Sequence, residues 1–357
     1  MNETRSRRRQ SGRPTVNDVA RLAGCSPMTV SRVINGGETV REETRLAVEA
    51  AIRQLDYAPN RAARSLAGAV GLRIALLYAN PSAAYLSELL IGCMDAASRL
   101  DAHLVVERCE PAGDVAKVIA RLAASAIDGF LLPPPLCEDA ALLARIAEAR
   151  LPAMLIGPGK ALPGQAAVMI DDTRAAQDMT RHLIALGHRR VGFIIGNPAQ
   201  SASALRLAGF RDAMAQAGLA VDEALIVQGQ FTYRSGLDAA AQMLALPQPP
   251  TAIFAANDDM AAGCVAAAHR CGIDVPRDLT VCGFDDTALA STIWPELTTI
   301  RQPIRQMAEV ALDQLVQGIR NVRNGSAPAF GPRPAHVTLD YTLVQRESDA
   351  APCSKLR

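Results

Sequence analysis

Thr15–Asn35, TVNDVARLAGCSPMTVSRVIN, carries two helix starts in one short run. Thr15-Val16-Asn17-Asp18 fits a capping box, with a hydroxyl at the N-cap and a carboxylate three residues on. The helix it opens places Val16, Val19, Ala20 and Ala23 on one side at helical spacing. Gly24 permits a tight stop, because glycine alone enters left-handed backbone at little cost. Ser26-Pro27 is a second start, an N-cap serine before a proline whose missing N–H is no loss in a first turn. The second helix runs to about Asn35 and turns Val30, Val33 and Ile34 inward, leaving Met28, Thr29, Ser31 and Arg32 outward.

Two short helices joined by a glycine turn also suit a generic helical hairpin, but the arginine setting favours a helix-turn-helix. In that unit the second helix enters the major groove and residues near its N-terminus reach base edges. Around it, Arg5, Arg7, Arg8, Arg9 and Arg13 make residues 1–13 a basic arm, expected to be disordered, that either attracts phosphates or is merely solvated. A third helix, Glu42–Leu55, presents Ala47, Ala51 and Leu55 on one face and stops at Tyr57-Ala58-Pro59. The next segment, NRAARSLAG from Asn60 to Gly68, has helical composition but only two turns, too few to be stable alone in water. Its order must come from a partner, which makes it a candidate switch.

Charge separates this head from the rest. Residues 1–68 hold twelve arginines against seven acids, or +5, which leaves −4 for the remainder of a chain whose net charge is +1. A basic head on a mildly acidic body is expected when only the head meets nucleic acid. At 357 residues the chain exceeds one ordinary core, and 49% hydrophobic with 20% charged residues is a globular profile. No window approaches eighteen uninterrupted apolar residues and no apolar run follows the N-terminal arginines. Neither a membrane span nor a secretory signal is expected, and the protein is expected in the cytoplasm. The 8 cysteines show no CxxC pair and no metal-ligand spacing, and are expected to be reduced.

From Leu72 the pattern becomes alternating strands and helices. Ile74–Leu77, Gly129–Leu132 and Ala153–Ile156 are short apolar runs, separated by helical stretches near 84–100, 113–124 and 138–149. The rhythm restarts after Asp171 with Val191–Ile195, Ala252–Ala255 and Thr280–Phe284. Two such halves predict an α/β core of two doubly wound parallel-sheet subdomains with a cleft between them, behind an all-α helix-turn-helix headpiece. Ligands in such sheets sit beyond the carboxyl ends of the strands. Asn257-Asp258, Asp285-Asp286 and Gln200-Ser201 all follow strands there. Each either caps the next helix or offers hydrogen bonds to a ligand. No GxSxG, HExxH, P-loop or strand-following GxGxxG is present, and the five histidines are scattered. No enzyme activity, cofactor or metal is expected; a sugar-binding protein or sugar-active enzyme on the same architecture is the alternative. His188 is expected to order the turn before a strand.

The chain resembles the LacI/GalR family of bacterial transcription regulators at Asp18-Val19-Ala20, Ala23-Gly24, Ser26, Thr29–Val33, Asn35, Thr44-Arg45 and Leu55–Asn60, and onward to about Leu343. The resemblance implies a regulator, most often a repressor, that binds double-stranded operator DNA as a homodimer or tetramer under control of a small effector. Thr15, Ser26, Pro27, Met28, Thr29, Ser31, Arg32, Asn35, Tyr57, Asn60, Ala63 and Leu66 fall at its DNA-binding positions. Leu66 would wedge into the minor groove from a hinge helix. Tyr85, Gln200, Arg206, Phe231, Asn257 and Asp285 fall at effector positions. The implied division is an arm at 1–13, a headpiece at 14–59, a hinge at 60–70, a periplasmic-binding-protein-like effector domain at 71–345 and a free tail at 346–357. Crossings between lobes are expected near 170, 298 and 326, with the 303–323 helix in the first lobe and a strand around His336–Leu343 in the second. Ala83-Ala84-Tyr85 and Arg206–Phe210 resemble purine-responsive members, but Gln200 and Ala202 stand where those have an arginine and a threonine. A neutral glucoside or disaccharide is therefore expected first, and an aldonate next because Arg206 could pair a carboxylate.

Overall fold

The computed structural model describes residues 15–34, 40–55, 71–109, 115–325, 329–330 and 336–353. The chain divides into two compact units, Met1–Gly71 and Leu72–Arg357.

In the first unit, α1 (Val16–Leu22), α2 (Pro27–Ile34) and α3 (Glu42–Gln54) pack around Val19, Ala20, Val30, Val48 and Ala51. The Asp18 carboxylate closes the first turn of α1, accepting from the Thr15 amide at 2.9 Å and its hydroxyl at 2.7 Å. These bonds hold its pKa below the ordinary carboxylate value. Gly24 takes φ +66° in the turn. The inward face of α3 is Val48, Ala51, Ile52 and Leu55, while Ala47, expected inside, is exposed. A stripe containing Val48 and Ile52 buries more apolar surface than one built on alanines.

Among the described residues, the second unit holds two six-stranded sheets. Strands β1 (Leu72–Tyr78), β2 (Ala102–Arg108), β3 (Gly129–Leu132), β4 (Ala153–Ile156), β5 (Ala166–Met169) and β11 (His336–Thr338) form the first, in the order β11-β5-β4-β3-β1-β2, all parallel. Strands β6 (Val191–Ile195), β7 (Ile226–Gln228), β8 (Ala252–Ala255), β9 (Thr280–Asp285), β10 (Thr298–Arg301) and β12 (Thr342–Val344) form the second, in the order β12-β10-β9-β8-β6-β7. Only β12 runs antiparallel there. Central strands β3, β4 and β8 are buried along their whole length, which is why they read as unbroken apolar runs.

Helices α4 (Ala83–Arg99), α5 (Val115–Ala124) and α6 (Ala140–Glu148) belong to the first lobe. In the second lie α7 (Asp172–Ala185), α8 (Ser201–Gln216), α9 (Tyr233–Leu244) and α10 (Asp258–Arg270). Helix α11 (Ile304–Arg323) returns to pack on α4 and on β3–β5. The two doubly wound sheets match the fold class read from the sequence.

The connections differ from expectation in three places. β10 pairs with β9, so the second crossing follows Arg301 rather than lying near 298. The expected strand at His336–Leu343 is two strands: β11 extends the first sheet and β12 the second, which moves the third crossing from near 326 to the span between Thr338 and Thr342. Finally, the described part of the expected tail, residues 346–353, is not free. Ser348 is fully buried; its hydroxyl donates to the Val281 carbonyl at 2.5 Å and accepts from the Thr298 amide at 2.9 Å. Asp349 pairs with His182 at 2.7 Å and accepts from the Thr298 hydroxyl. His188, buried, contacts Thr251 Oγ1 at 2.9 Å and the Ala350 carbonyl at 2.9 Å, so it ties this strap to the start of β6. Short, polar-rich sequence hides a strap whose hydrogen bonds reach residues far away in the chain, on β9, β10 and α7.

Candidate functional site

Each sheet reverses its order between its first and third strands, β1/β3 in one lobe and β6/β8 in the other, and the ends of these strands face one cleft. Tyr85, Gln200, Arg206, Phe231, Asn257 and Asp285 all line it, together with Asn80, Ser82, Pro134, Gly157, Ile170, Asp172, Ala202 and Gln302. Nearly all of these stand just beyond a strand or in the first turns of the helix after it, the place where an α/β sheet leaves backbone and side chains free for a ligand. Asp172, Ser82 and Gln302 carry no signal of their own in the sequence. Asp172 looks there like an ordinary first-turn acid.

The centre is Arg206, on α8 and only 5% exposed. Its Nε donates to Asp172 Oδ1 at 2.7 Å and its Nη1 to the Ala256 carbonyl at 2.6 Å. Asp285 Oδ1 lies 3.8 Å from Nη1, and the guanidinium lies 3.5 Å from the Phe284 ring centroid. Asp285 ends β9 with φ +111°, a strained conformation for a side-chain-bearing residue, and accepts from Gln302 Nε2 at 2.5 Å. Burial pushes its carboxyl up to about 7, opposed by Arg206 and the Gln302 hydrogen bond. Burial also raises Asp172, against the pull of Arg206. Behind them, fully buried Asp258 accepts from Thr299 Oγ1 at 2.7 Å and from the Thr287 amide at 2.8 Å, and burial pushes its carboxyl well up.

Phe231 forms the aromatic wall, with φ +57° and 7% exposure. Gly196, after β6, meets its ring face: a Cβ built there would overlap three ring carbons. Asn257 is the N-cap of α10; its Oδ1 accepts from Met260 N at 3.0 Å and its Nδ2 donates to the Phe231 carbonyl at 3.2 Å. The capping alternative for Asn257 therefore holds, and this residue steadies Phe231. Gln200 differs. It is 6% exposed, and among the described residues its Nε2 is one of two buried side-chain nitrogens without a hydrogen-bond partner. A buried amide donor left unpaired is costly, so Gln200 has an uncommitted N–H to offer within the cleft.

Among the described residues, two bridges join the lobes across the cleft. Ser82 Oγ, at the N-cap of α4, donates to Asp259 Oδ2 at 2.5 Å. Glu138, after β3, accepts from the Gly159 amide at 3.0 Å, the Ser201 amide at 2.8 Å and the Ser201 hydroxyl. The carboxylate thereby sits at the N-terminus of α8, where the helix dipole favours it.

In the headpiece, Ser26 caps α2: its Oγ accepts from the Thr29 amide at 3.1 Å and lies 2.9 Å from Thr29 Oγ1. Ser26, Pro27, Met28 and Arg32 are exposed, Met28 at 67%, while Thr29 and Ser31 are half-buried and Thr15 is exposed. Met28 and Arg32 stand one turn apart on the outward face of α2. Asn35, Tyr57, Asn60, Ala63 and Leu66, with the 1–13 arm and the 60–70 hinge, lie outside the described residues. All eight cysteines are unpaired. No helix among the described residues is long and apolar enough to cross a membrane.

Residues 15–60 match the model of bacterial regulatory proteins of the lacI family, and residues 180–348 that of a periplasmic binding protein-like domain. The ribose operon repressor of Escherichia coli (strain K12) is 36% identical over 85% of this chain and 93% of its own length. The lac repressor dimer bound to operator and the anti-inducer ONPF is 30% identical, with a TM-score of 0.77 over 95% of this chain and all of that one. The transcriptional regulator CelR in complex with cellobiose is 32% identical, with a TM-score of 0.71 over 94% of this chain and all of that one. These relatives are transcription regulators rather than enzymes. The headpiece, the two-lobed sheet architecture and this likeness over nearly the whole length place the chain in the lacI family of bacterial regulatory proteins.

Proposed function

We propose that this protein acts in the cytoplasm as a dimeric transcriptional repressor that reads an operator through α2 and releases or holds it according to a sugar-like effector in the cleft. The observation that carries the effector half is the buried cluster of Arg206, Asp172 and Asp285 beside Phe231 and the unpartnered amide of Gln200. An aromatic wall ringed by fixed donors and acceptors suits a polyhydroxylated ring, whose faces are apolar and whose rim is hydroxyl. In the DNA half, exposed Arg32 would pair guanine and exposed Met28 would pack on a thymine methyl, while Thr15, Ser26, Thr29 and Ser31 would position the backbone. Asn35, Tyr57, Asn60, Ala63 and Leu66 would add contacts from outside the described residues.

Effector binding would bias the angle between lobes, and through the 60–70 hinge the common geometry of two headpieces. A coupling of roughly 1–3 kcal/mol, or 5–150-fold in operator affinity, is the usual scale, and operator must alter effector affinity by the same factor. The test is a gel shift on promoter DNA adjoining its own coding sequence, with and without sugars that raise the melting temperature. Arg32→Ala should remove specific binding while leaving salt-sensitive non-specific binding. A protein that binds no such fragment, with or without sugars, would overturn the proposal.

A further inference from the structure

Arg206 is the only cation lining the cleft among the described residues, and its charge is already engaged. Nε is committed to Asp172 at 2.7 Å and Nη1 to the Ala256 carbonyl at 2.6 Å, with Asp285 at 3.8 Å and Phe284 covering one face. Against this one positive charge the cleft sets the carboxyls of Asp172 and Asp285, with Asp259 at its edge hydrogen-bonded to Ser82. Each edge of a guanidinium held in this way, Nε with Nη2 and Nη1 with Nη2, already has one nitrogen engaged, so neither offers a carboxylate two uncommitted nitrogens for parallel hydrogen bonds. An anionic ligand would also be brought beside buried acids, which disfavour a further negative charge. Hydroxyl groups meet no such obstacle: they donate to the acids and accept from Gln200 Nε2.

From this geometry we infer that Asp172 sets the charge selectivity of the cleft, holding Arg206 so that the site takes uncharged polyols and rejects sugar acids. The inference rests on the cleft being the effector site. It removes the aldonate that the bare presence of an arginine suggested. Asp172 begins α7, where the helix dipole supports its negative charge, and it is 5% exposed, so its carboxylate stays aimed at Arg206 rather than at solvent.

The test pairs each neutral sugar with its own acid: ribose and ribonate, glucose and gluconate, cellobiose and cellobionate. Affinities for the full-length protein are measured by calorimetry at pH 8. The native protein should bind the neutral member of a pair at least tenfold more tightly. Asp172→Asn, which keeps the shape and removes the charge, should narrow that gap by roughly tenfold, the equivalent of one pK unit of differential interaction. Asp172→Glu should keep the gap wide. An aldonate bound by the native protein as tightly as its sugar, or an unchanged gap in Asp172→Asn, overturns the inference. Failure of every sugar and every acid to bind the native protein overturns the effector reading itself.

Should Asp172→Asn not fold, the native protein supplies a second readout. Asp285 is faced by Arg206 from α8, Asp172 from α7, Asp258 and Asp259 from α10 and Tyr85 from α4, with Gln302 bonded to it and Asp286 adjacent. Its carboxyl, pushed up to about 7, gains a proton between pH 8 and pH 6, while an aldonate stays ionised. The preference for the neutral sugar should therefore narrow as the pH falls, and a preference constant over that range counts against the inference.

Discussion

Arg206→Met would replace the buried guanidinium with an apolar chain of similar length and leave Asp172 and Asp285, both nearly fully buried, without a countercharge. Two losses follow. The Ala256 carbonyl loses its 2.6 Å donor, a cost of about 1–3 kcal/mol at any pH. The two carboxyls lose the charge that opposes burial, so their folded pKa values climb further above the unfolded value. A carboxyl with a raised folded pKa is protonated in the folded state where the unfolded chain is ionised. Its stability contribution is therefore best at low pH and is lost as pH rises through the folded pKa. Breaking a buried pair from one side costs about 3–5 kcal/mol in total.

With an unfolding entropy of about 0.6 kcal/mol/K for a unit running from Leu72 to Arg357, that cost lowers the melting temperature by about 5–8 °C at pH 8. At pH 5.5 protonation of Asp285, and in the variant of Asp172, should recover ~1.4 kcal/mol or more, the value of one pK unit on one group. The assay is denaturant unfolding of native and variant protein at both pH values, read by fluorescence and circular dichroism. Equal penalties at pH 5.5 and 8 would mean that the acids do not depend on Arg206.

Glu138→Gln removes the charge at the N-terminus of α8 and one of the acceptors that hold Gly159 and Ser201, so effector affinity should fall several-fold with operator affinity kept; unchanged affinity would mean that this bridge does not contribute to effector binding. Gly196→Ala would drive a methyl into the Phe231 ring and should abolish the effector response while the protein stays folded; a normal response would mean the ring is not part of the site. Ending the chain after Gln345 should cost about 3 kcal/mol or more, since it strips the Ser348 and Asp349 hydrogen bonds from Val281, Thr298 and His182; unaltered melting would make the segment a tail after all. Burial raises the Asp349 carboxyl, but His182 and Thr298 outweigh it and hold the pKa below the ordinary value, so this anchor should act above about pH 4 and be lost as pH falls through the folded pKa.

Local chemistry made the headpiece legible: Thr15 with Asp18, Gly24, and Ser26 with Pro27 are starts and stops whose partners lie within a few residues. The apolar runs at Ile74–Leu77, Gly129–Leu132 and Thr280–Phe284 likewise announced central strands, because a strand covered on both faces must be apolar throughout. Family resemblance brought Tyr85, Gln200, Arg206, Phe231, Asn257 and Asp285 to notice, and the fold gathers all six in one cleft.

What no local pattern could decide was which partner each polar group takes. The carboxylate of Asp172 finds Arg206 across thirty-four positions of sequence, and Asp349 finds His182 across one hundred and sixty-seven. In the sequence the first is one more first-turn acid and the second part of a polar terminus. The sequence by itself determined the headpiece helices, the central strands and the polar residues that follow Ile195, Ala255 and Phe284, since those depend on periodicity and nearest neighbours. Tertiary structure alone decided the charge of the cleft, the routes between lobes and the role of the strap, because a buried charge is defined by what packs against it.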